Sequence, residues 1–360
     1  MQKYKQTLMR GFGGVVNLLP ILAFVVPMSI LYALYPYSFE QTYHGRTLYF
    51  FFIWLVFLEA VLSWEKLHER KTSKFRSIRT VLLVVALVLP TAYVVIANYQ
   101  GLNVGIADFV RPSIPRDDPL RNQHAEQVAL SVEYLIFTVL FCLIVFLEYG
   151  TRGLTEFPLS AVFLGAIGTL FTIDNLYPYG RFTPFQVLVP STATLASRVL
   201  NLIGYETVYS MVDSSLYGSM PYLTVRNYPW ASFGIAWPCS GVESLLIYTV
   251  TILLFLRKTD IHMWLRAIYF TVGAVVTYLI NILRIVTLFM IAIQKGPTFR
   301  VTDYDFQRFH NFYGMLYSIT WIILYPLIII GSRILWEKVR SRRTQQKAIP
   351  NLPEQDEPSG

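Results

Sequence analysis

The sequence has little charge: Asp, Glu, Lys and Arg make up only 14% of its 360 residues, against roughly 25% in an average soluble domain. Hydrophobic residues account for 54% of the chain. They come in blocks of about 20, which are long enough to cross a bilayer and too long for the core helices of a soluble enzyme. The net charge of +8 does not indicate nucleic-acid binding, because the basic residues cluster between the apolar blocks, where they set membrane topology.

Cysteine and histidine are also scarce, with two and five residues. Cys142 lies within an apolar run and Cys239 beside polar residues, so we expect different depths and no disulfide framework. No two histidines have the spacing of metal ligands, and the HExxH, Walker and GxSxG patterns are absent, so we expect no metal and no cofactor. Four histidines have no matching constellation of polar residues: His44, His68, His124 and His262.

The hydropathy predicts an all-α fold, a polytopic transmembrane helical bundle of about eight spans. These spans lie near residues 14–35, 47–64, 80–98, 127–148, 158–175, 240–256, 267–292 and 311–332. Eight spans put the three stretches richest in Lys and Arg on the same side as the N-terminus: residues 65–79, the turn 257–266 and the tail after 332. By the positive-inside rule, that side is the cytoplasm, so both termini are predicted to be cytoplasmic. We expect no cleavable signal peptide, since the first apolar block is long and has no small-residue cleavage site.

One apolar block is ambiguous. Residues 185–204 contain Pro190 and Arg198, and we interpret them as an interfacial amphipathic or re-entrant helix on the outer side. The predicted apolar face of this helix consists of Leu195, Val199, Leu202 and Ile203. The alternative is a ninth span with Arg198 packed internally, which would move the basic turn 257–266 to the outside.

We divide the chain into three parts by composition. Residues 1–175 form N-terminal transmembrane helices, residues 176–335 a catalytic transmembrane region, and residues 336–360 a cytoplasmic tail. The end of the tail, residues 348–360, contains three prolines and three acids and is predicted to be disordered.

A cysteine stands at the outer end of the sixth predicted span. Cys239 follows Pro238 and precedes Ser240 and Gly241, a set of residues that favours the start of a helix. The positive end of the helix dipole would favour thiolate over thiol, and free N–H groups of the first turn would bind a developing oxyanion. Cys239 is therefore a candidate nucleophile, and the alternative is a small buried thiol without a chemical role.

An arginine lies deep inside the seventh predicted span. Burying Arg284 roughly 12 Å below the outer end of the span costs about 2.5–3.5 kcal/mol on the mild insertion scale, so we expect a functional reason for it. Asn281 shares its helical face and can orient the guanidinium or bridge to a neighbour. The alternative is a structural ion pair with Glu243. If Glu243 does not form this ion pair, it is either a fourth member of the site or a favourable negative charge in the first turn of its helix.

A histidine stands at the start of the last predicted span. His310 is suited to proton transfer near neutral pH, and the alternative is an interfacial histidine among aromatic residues, which are common at membrane boundaries. In the eight-span topology, Cys239 begins one helix on the outer side, Arg284 lies in the outer half of the next, and His310 begins the third. Short connections make these helices neighbours. A nucleophile, a fixed cation and an acid/base group thus converge, the three roles that cysteine attack on an amide needs.

The order and spacing of these residues resemble the exosortase/archaeosortase family of membrane transpeptidases. The matching blocks are Pro238-Cys239-Ser240-Gly241, then Asn281 with Arg284, then His310 ahead of a last span that contains glycine. The first block of the family is commonly Ala-Cys-Ser-Gly, so Pro238 replaces an alanine here. The resemblance covers roughly residues 185–330, and the N-terminal spans match only as generic membrane helices.

The resemblance implies a thiol mechanism with Cys239 as nucleophile and with Arg284 and His310 as its partners. The substrates would be exported proteins whose C-terminal sorting signal has a short recognition motif, one apolar span and a basic cluster. Cleavage would fall just outside the membrane, and the acyl group would pass to an amine acceptor such as a lipid head group. The protein would then be a multi-pass plasma-membrane enzyme, in contact with membrane lipids, whose active site faces the extracytoplasmic side.

Two other classes stay open at this point. A transporter would line a polar pathway with Arg284 and Glu243, but it gives Cys239 no role and predicts paired broken helices in two halves, which the sequence does not clearly contain. A lipid phosphatase or acyltransferase would need several arginines and histidines around a phosphate, whereas one arginine lies deep in a predicted span.

Overall fold

The structure, a computed structural model, describes residues 19–41, 43–63, 67, 78–114, 116, 118, 120–177, 186–214 and 218–347. Its helices are α1 (Leu19–Leu34), α2 (Leu48–Leu62), α3 (Ile78–Tyr99), α4 (Leu102–Val110), α5 (Arg121–Tyr149), α6 (Thr151–Leu154), α7 (Pro158–Leu176), α8 (Val189–Leu202), α9 (Val242–Lys258), α10 (Met263–Lys295), α11 (Tyr304–Arg308) and α12 (Gly314–Lys347). Short 3₁₀ turns lie at Pro36–Glu40, Arg111–Ser113, Trp237–Ser240 and Gly296–Thr298, and a π-helical segment lies at Phe309–Tyr313.

The described residues contain five helices that are long and apolar enough to cross a membrane: α3, α5, α7, α10 and the part of α12 from Leu316 to Trp336. Helices α1, α2 and α9 match three further predicted spans but have only 16, 15 and 17 residues. At about 1.5 Å per residue they are shorter than a typical hydrocarbon core of about 30 Å. The predicted helical bundle is therefore confirmed, whereas the count of eight and the sides of the termini are not.

Several predicted stretches fall outside the described residues. These are the beginning of the first span, most of the basic segment 65–79 and the tail end 348–360. Helix α12 continues through Lys347, so the predicted tail begins within this helix.

The all-α prediction is wrong between α8 and α9. The chain forms an antiparallel sheet there, with the strand order β1 (Thr207–Ser214), β2 (Gly218–Val225) and β3 (Tyr228–Gly234). The register pairs Leu223 with Phe233 across β2 and β3. The strands are rich in aromatic and β-branched residues, which favour strands, but they are too short to stand out in windows of membrane-span length.

Helix α8 lies where the sequence predicted an amphipathic helix, and its 14 residues reach only about 21 Å. The predicted apolar face is partly wrong, because Leu202 is 85% exposed and Ile203 50%. The buried face consists of smaller residues: Val189, Thr192, Ala193, Ala196 and Leu200. These residues let α8 pack closely against α10 and the sheet.

Helix α9 joins the two halves of the molecule, since it packs against α7 on one side and against α10 and α12 on the other. Most of the buried hydrophobic residues form one cluster that runs from α1 to α12, and a small separate cluster of Ala107, Ile114 and Ala125 lies at α4 and the start of α5. In the N-terminal half, this core contains edge-to-face aromatic rings, with Phe24 5.4 Å from Phe52 and 5.2 Å from Phe137.

Helix α10 has two faces of opposite character. Its outward face is an exposed apolar stripe of Val272, Val275, Leu279 and Leu283. Its inward face carries the buried polar side chains of Thr277, Asn281 and Arg284. Such a distribution suits a helix that has lipid outside and a polar site inside.

Candidate active site

Cys239 lies in the 3₁₀ turn Trp237–Ser240 and not in the first turn of a helix. Its backbone N–H donates to the carbonyl of Ala236 at 3.0 Å, and Ser240 Oγ donates to the carbonyl of Trp237 at 2.6 Å. Gly241 has a left-handed φ of 86°, and α9 starts only at Val242. The predicted helix start at Cys239 is therefore displaced by a tight turn, because Gly241 changes the direction of the chain.

Two helices hold this turn by its backbone carbonyls. Asn281 Nδ2 donates to the carbonyl of Cys239 at 2.9 Å, from α10. Thr192 Oγ1 donates to the carbonyl of Ser240 at 3.0 Å, from α8. A Cβ atom at Gly241 would lie 2.8 Å from Asn281 Nδ2, so glycine is needed for close approach as well as for its φ. Of the two roles predicted for Asn281, the structure shows the bridge to a neighbour.

Arg284 is buried on the same face of α10 and contacts the segment that carries His310. Its Nη2 donates to the carbonyl of His310 at 2.6 Å. The segment Phe309–Tyr313 is π-helical, a wider turn that interrupts the α-helical hydrogen-bond ladder between α11 and α12. A Cβ atom at Gly314 would lie 2.6 Å from Arg284 Nε, so this glycine gives the guanidinium its space.

The His310 imidazole is half-buried and stacks on Phe306, with ring centroids 6.2 Å apart and an interplanar angle of 13°. Its Nδ1 has no hydrogen-bond partner among the residues that the structure describes. Burial and the nearby charge of Arg284 lower the pKa of His310 from 6.5 to about 4. The imidazole is therefore neutral at neutral pH and can accept a proton.

The Cys239 thiol does not match the predicted resting thiolate. Burial raises the pKa of Cys239 above its ordinary value, and the positive charge of Arg284 offsets this effect only in part. The helix-dipole expectation is wrong for the resting state, since Cys239 precedes α9 and is partly buried. Thiol and imidazole are therefore both neutral at rest, and a thiolate would form only by loss of the thiol proton.

Cys239 and His310 line one cavity of about 390 Å³. Its other walls come from β3, α10 and α11, including Phe233, Leu288 and Phe306. Phe233 also packs on Phe289 at 4.8 Å and on Phe306 at 5.3 Å, which anchors the sheet over the site. This strand was not among the predicted elements, because β3 is too short to appear in windows of membrane-span length.

Glu243 is buried in the first turn of α9, only 5% exposed, within electrostatic reach of Arg284 and Asp174. A carboxylate that served only the helix dipole would be expected nearer to solvent. The structure thus brings the three predicted catalytic residues and the four supporting residues into one region, and their chemical roles stay predictions.

The sequence analysis missed a second group of polar residues near this region. His44 pairs with Asp174, 130 positions away in the chain, and no local sequence pattern indicates this pair.

The chain was compared with models of known protein families. A family model described as transmembrane exosortase matches residues 37–327, most of the chain. The predicted extent of the resemblance, roughly 185–330, is therefore too narrow, because the match includes helices of the N-terminal half. No curated protein and no solved structure matches the chain.

Proposed function

Because this chain belongs to the transmembrane exosortase family, we propose that it is a cysteine transpeptidase with Cys239, Arg284 and His310 as catalytic residues. The proposal rests on one observation, that side chains of α10 contact both the turn that contains Cys239 and the segment that contains His310. Asn281 holds the turn of Cys239, and Arg284 holds the backbone of His310. Nucleophile and acid/base are thereby fixed to one cavity. The transporter alternative has no comparable support.

The first step is acyl transfer to sulfur. The Cys239 sulfur attacks the carbonyl carbon of the substrate peptide bond while His310 takes the thiol proton. A tetrahedral oxyanion forms, then the C–N bond breaks and the imidazolium gives its proton to the departing amine. The product is a thioester on Cys239, with His310 again neutral.

The second step transfers the acyl group to an amine. The acceptor nitrogen attacks the thioester, and His310 takes a proton from that nitrogen. The C–S bond breaks, and the proton passes to the Cys239 sulfur. The result is a new amide bond and the starting thiol.

Arg284 supplies positive charge to both steps. It acts electrostatically on Cys239 and on His310. A buried guanidinium stabilises charge on sulfur or on the oxyanion more strongly than a solvated one, because little water screens it. The first-turn N–H groups of α9 are further candidate donors to the oxyanion, since helix starts leave such groups without intrahelical acceptors.

The substrates in this proposal are exported proteins with a C-terminal recognition motif, an apolar span and a basic cluster. A substrate helix beside the bundle would bring its outer end to the depth of Cys239. The acceptor is an amine, with a lipid head group as the leading candidate. The distribution of Lys and Arg supports an extracytoplasmic site in the plasma membrane.

The test is co-expression with tagged candidate substrates encoded in the same genome. Wild type is compared with Cys239→Ala, and Cys142→Ala is the matched control because Cys142 is the other free cysteine. We expect wild type and Cys142→Ala to remove the C-terminal span of a substrate, seen as a gel shift of the tag. Cys239→Ala should leave it uncleaved.

The product distinguishes transfer from hydrolysis. Mass spectrometry of the new C-terminus should find an amide of the acceptor and not a free carboxylate. Equal processing by wild type and Cys239→Ala would sink the proposal, and a free carboxylate alone would reduce it to a protease.

A further inference from the structure

A second buried polar cluster lies beside the site and comes from the N-terminal half. His44, between α1 and α2, has its Nε2 2.7 Å from Oδ2 of Asp174, near the end of α7. Asn175 Nδ2 lies 3.2 Å from His44 Nδ1, and the Tyr43 hydroxyl donates to the same Asp174 oxygen. We call these four residues the His44 cluster.

The hydrogen bonds fix the orientation of the imidazole. An amide nitrogen only donates, so Nδ1 of His44 accepts a hydrogen bond from Asn175. The ring proton is therefore on Nε2, and this N–H donates to Asp174. The ring also stacks on Phe171, with centroids 4.8 Å apart. His44 is therefore held by both ring nitrogens and by one ring face.

The backbone at His44 is strained. Its φ of 50° makes it the one non-glycine residue with a positive φ in the described part of the chain. Histidine adopts this left-handed region at a cost in free energy, and such residues cluster at functional sites. The surroundings maintain it, because Tyr134 donates to the carbonyl of the next residue, Gly45, at 2.8 Å.

A ring contact and an electrostatic interaction connect the His44 cluster with the Cys239 site. The Tyr43 ring packs edge-to-face on Trp237, the first residue of the Cys239 turn, at 6.0 Å. Asp174 lies within electrostatic reach of Glu243, which in turn reaches Arg284. Asp174 Oδ1 and Glu243 Oε1 are both buried without a hydrogen-bond partner among the described residues.

We propose that His44 and Asp174 are positioning residues of the transpeptidase. Together with Tyr43 they hold the Trp237 end of the Cys239 turn in place. The negative charge of Asp174 also contributes to the electrostatic potential at Glu243 and Arg284. This inference rests on the proposed function, because it assigns the cluster to the turn of the nucleophile.

The chain offers a matched control. His124 and Asp118 form another histidine–aspartate pair at 2.7 Å, near the start of α5. Asp118 is buried like Asp174, both 5% exposed. Substitutions in either pair remove a histidine–aspartate hydrogen bond, so an effect that comes from loss of this bond alone should appear in both sets of variants.

The experiment compares Asp174→Asn and His44→Gln with Asp118→Asn and His124→Gln in the full-length protein. Substrate-processing rates are measured in membranes against substrate concentration, and unfolding midpoints are measured in detergent. We expect the first two variants to lower kcat by about tenfold with KM unchanged, since these residues do not line the cavity. The control variants should stay within about twofold of wild type in kcat, with similar shifts in midpoint.

A second pair of variants tests the contact with Trp237. Tyr43→Phe keeps the ring and should cost about twofold in kcat, whereas Tyr43→Ala removes the ring and should cost about tenfold. Equal kcat values for Asp174→Asn and Asp118→Asn would overturn the inference, and so would full activity of Tyr43→Ala.

Cys239→Ala, measured in parallel, separates the two proposals. If it processes substrate like wild type, the proposed function fails. If it is inactive while the His44-cluster variants match their controls, only the positioning role fails.

Discussion

Two buried arginines, one in each half of the molecule, are held by different partners. Arg46 donates to both oxygens of Glu133, at 2.8 and 2.9 Å, and the Tyr49 hydroxyl bonds the same carboxylate. Arg284 donates to the backbone carbonyl of His310. A bidentate pair between a guanidinium and a carboxylate ties two elements of the fold together, whereas Arg284 contacts the segment that carries His310. We therefore expect substitution of Arg46 to affect mainly stability and substitution of Arg284 to affect mainly activity.

The largest effect that follows from this comparison is loss of activity in Arg284→Lys. An ammonium group lacks the planar fork that reaches His310, so we expect processing to fall by at least about a hundredfold with little loss of folded protein. Arg46→Lys is the control and should keep its activity per folded molecule. Equal losses of substrate cleavage in Arg284→Lys and Arg46→Lys would show that the two arginines do not differ in their importance for activity.

The next effect is on stability. Glu133→Gln leaves Arg46 as an uncompensated buried charge and should destabilise the fold by about 3–5 kcal/mol, measured by unfolding in detergent. The double variant Arg46→Met with Glu133→Leu should recover most of that loss, because neither charge is then buried alone. A Glu133→Gln protein as stable as wild type would show that this pair is not a structural tie.

A smaller effect should follow when the space of Arg284 is reduced. Gly314→Ala puts a methyl group 2.6 Å from Arg284 Nε and should lower the rate of processing by about tenfold, since the guanidinium must shift. Gly331→Ala, in the same helix, has open space around its Cβ and should leave the rate unchanged. Equal rates for the two alanine variants would count against the contact.

The pH dependence should show the burial of His310 and the nearby charge of Arg284 without any substitution. The pKa of His310 is lowered to about 4, so the imidazole stays unprotonated as the pH falls through 6.5. We expect kcat/KM to hold through this range and to fall only as the pH approaches about 4, where His310 becomes protonated and no longer accepts the thiol proton. An acid limb centred near 6.5 would show that neither burial nor Arg284 acts on this histidine as described.

Much of the site could be predicted from the sequence because its signals are local. A cysteine beside a helix-start motif, an arginine inside an apolar span and a histidine before the next span each stand out alone. Helical connectivity then makes them neighbours, and the structure does bring Cys239 and His310 to one cavity. The hydropathy of the sequence determines the depth of these three residues in the predicted spans and the order in which they occur.

The features that the sequence did not predict depend on contacts between residues far apart in the chain. His44 and Asp174 meet only because α2 and α5 pack against α7. The sheet is short and lies in a stretch of mixed polarity, so strand pairing determines it more than periodicity does. The resting thiol was mispredicted because burial, which depends on the assembled fold, outweighs the helix dipole at Cys239.

The π-helical segment Phe309–Tyr313 makes the site sensitive to chain length as well as to side-chain type. A π-turn accommodates one more residue than the α-turn it replaces, which offsets the following helix by about 100°. Deleting a single residue here would rotate the whole of α12 about its axis and carry Gly314 away from Arg284. Related chains should therefore keep the number of residues in this segment, even where positions other than His310 differ.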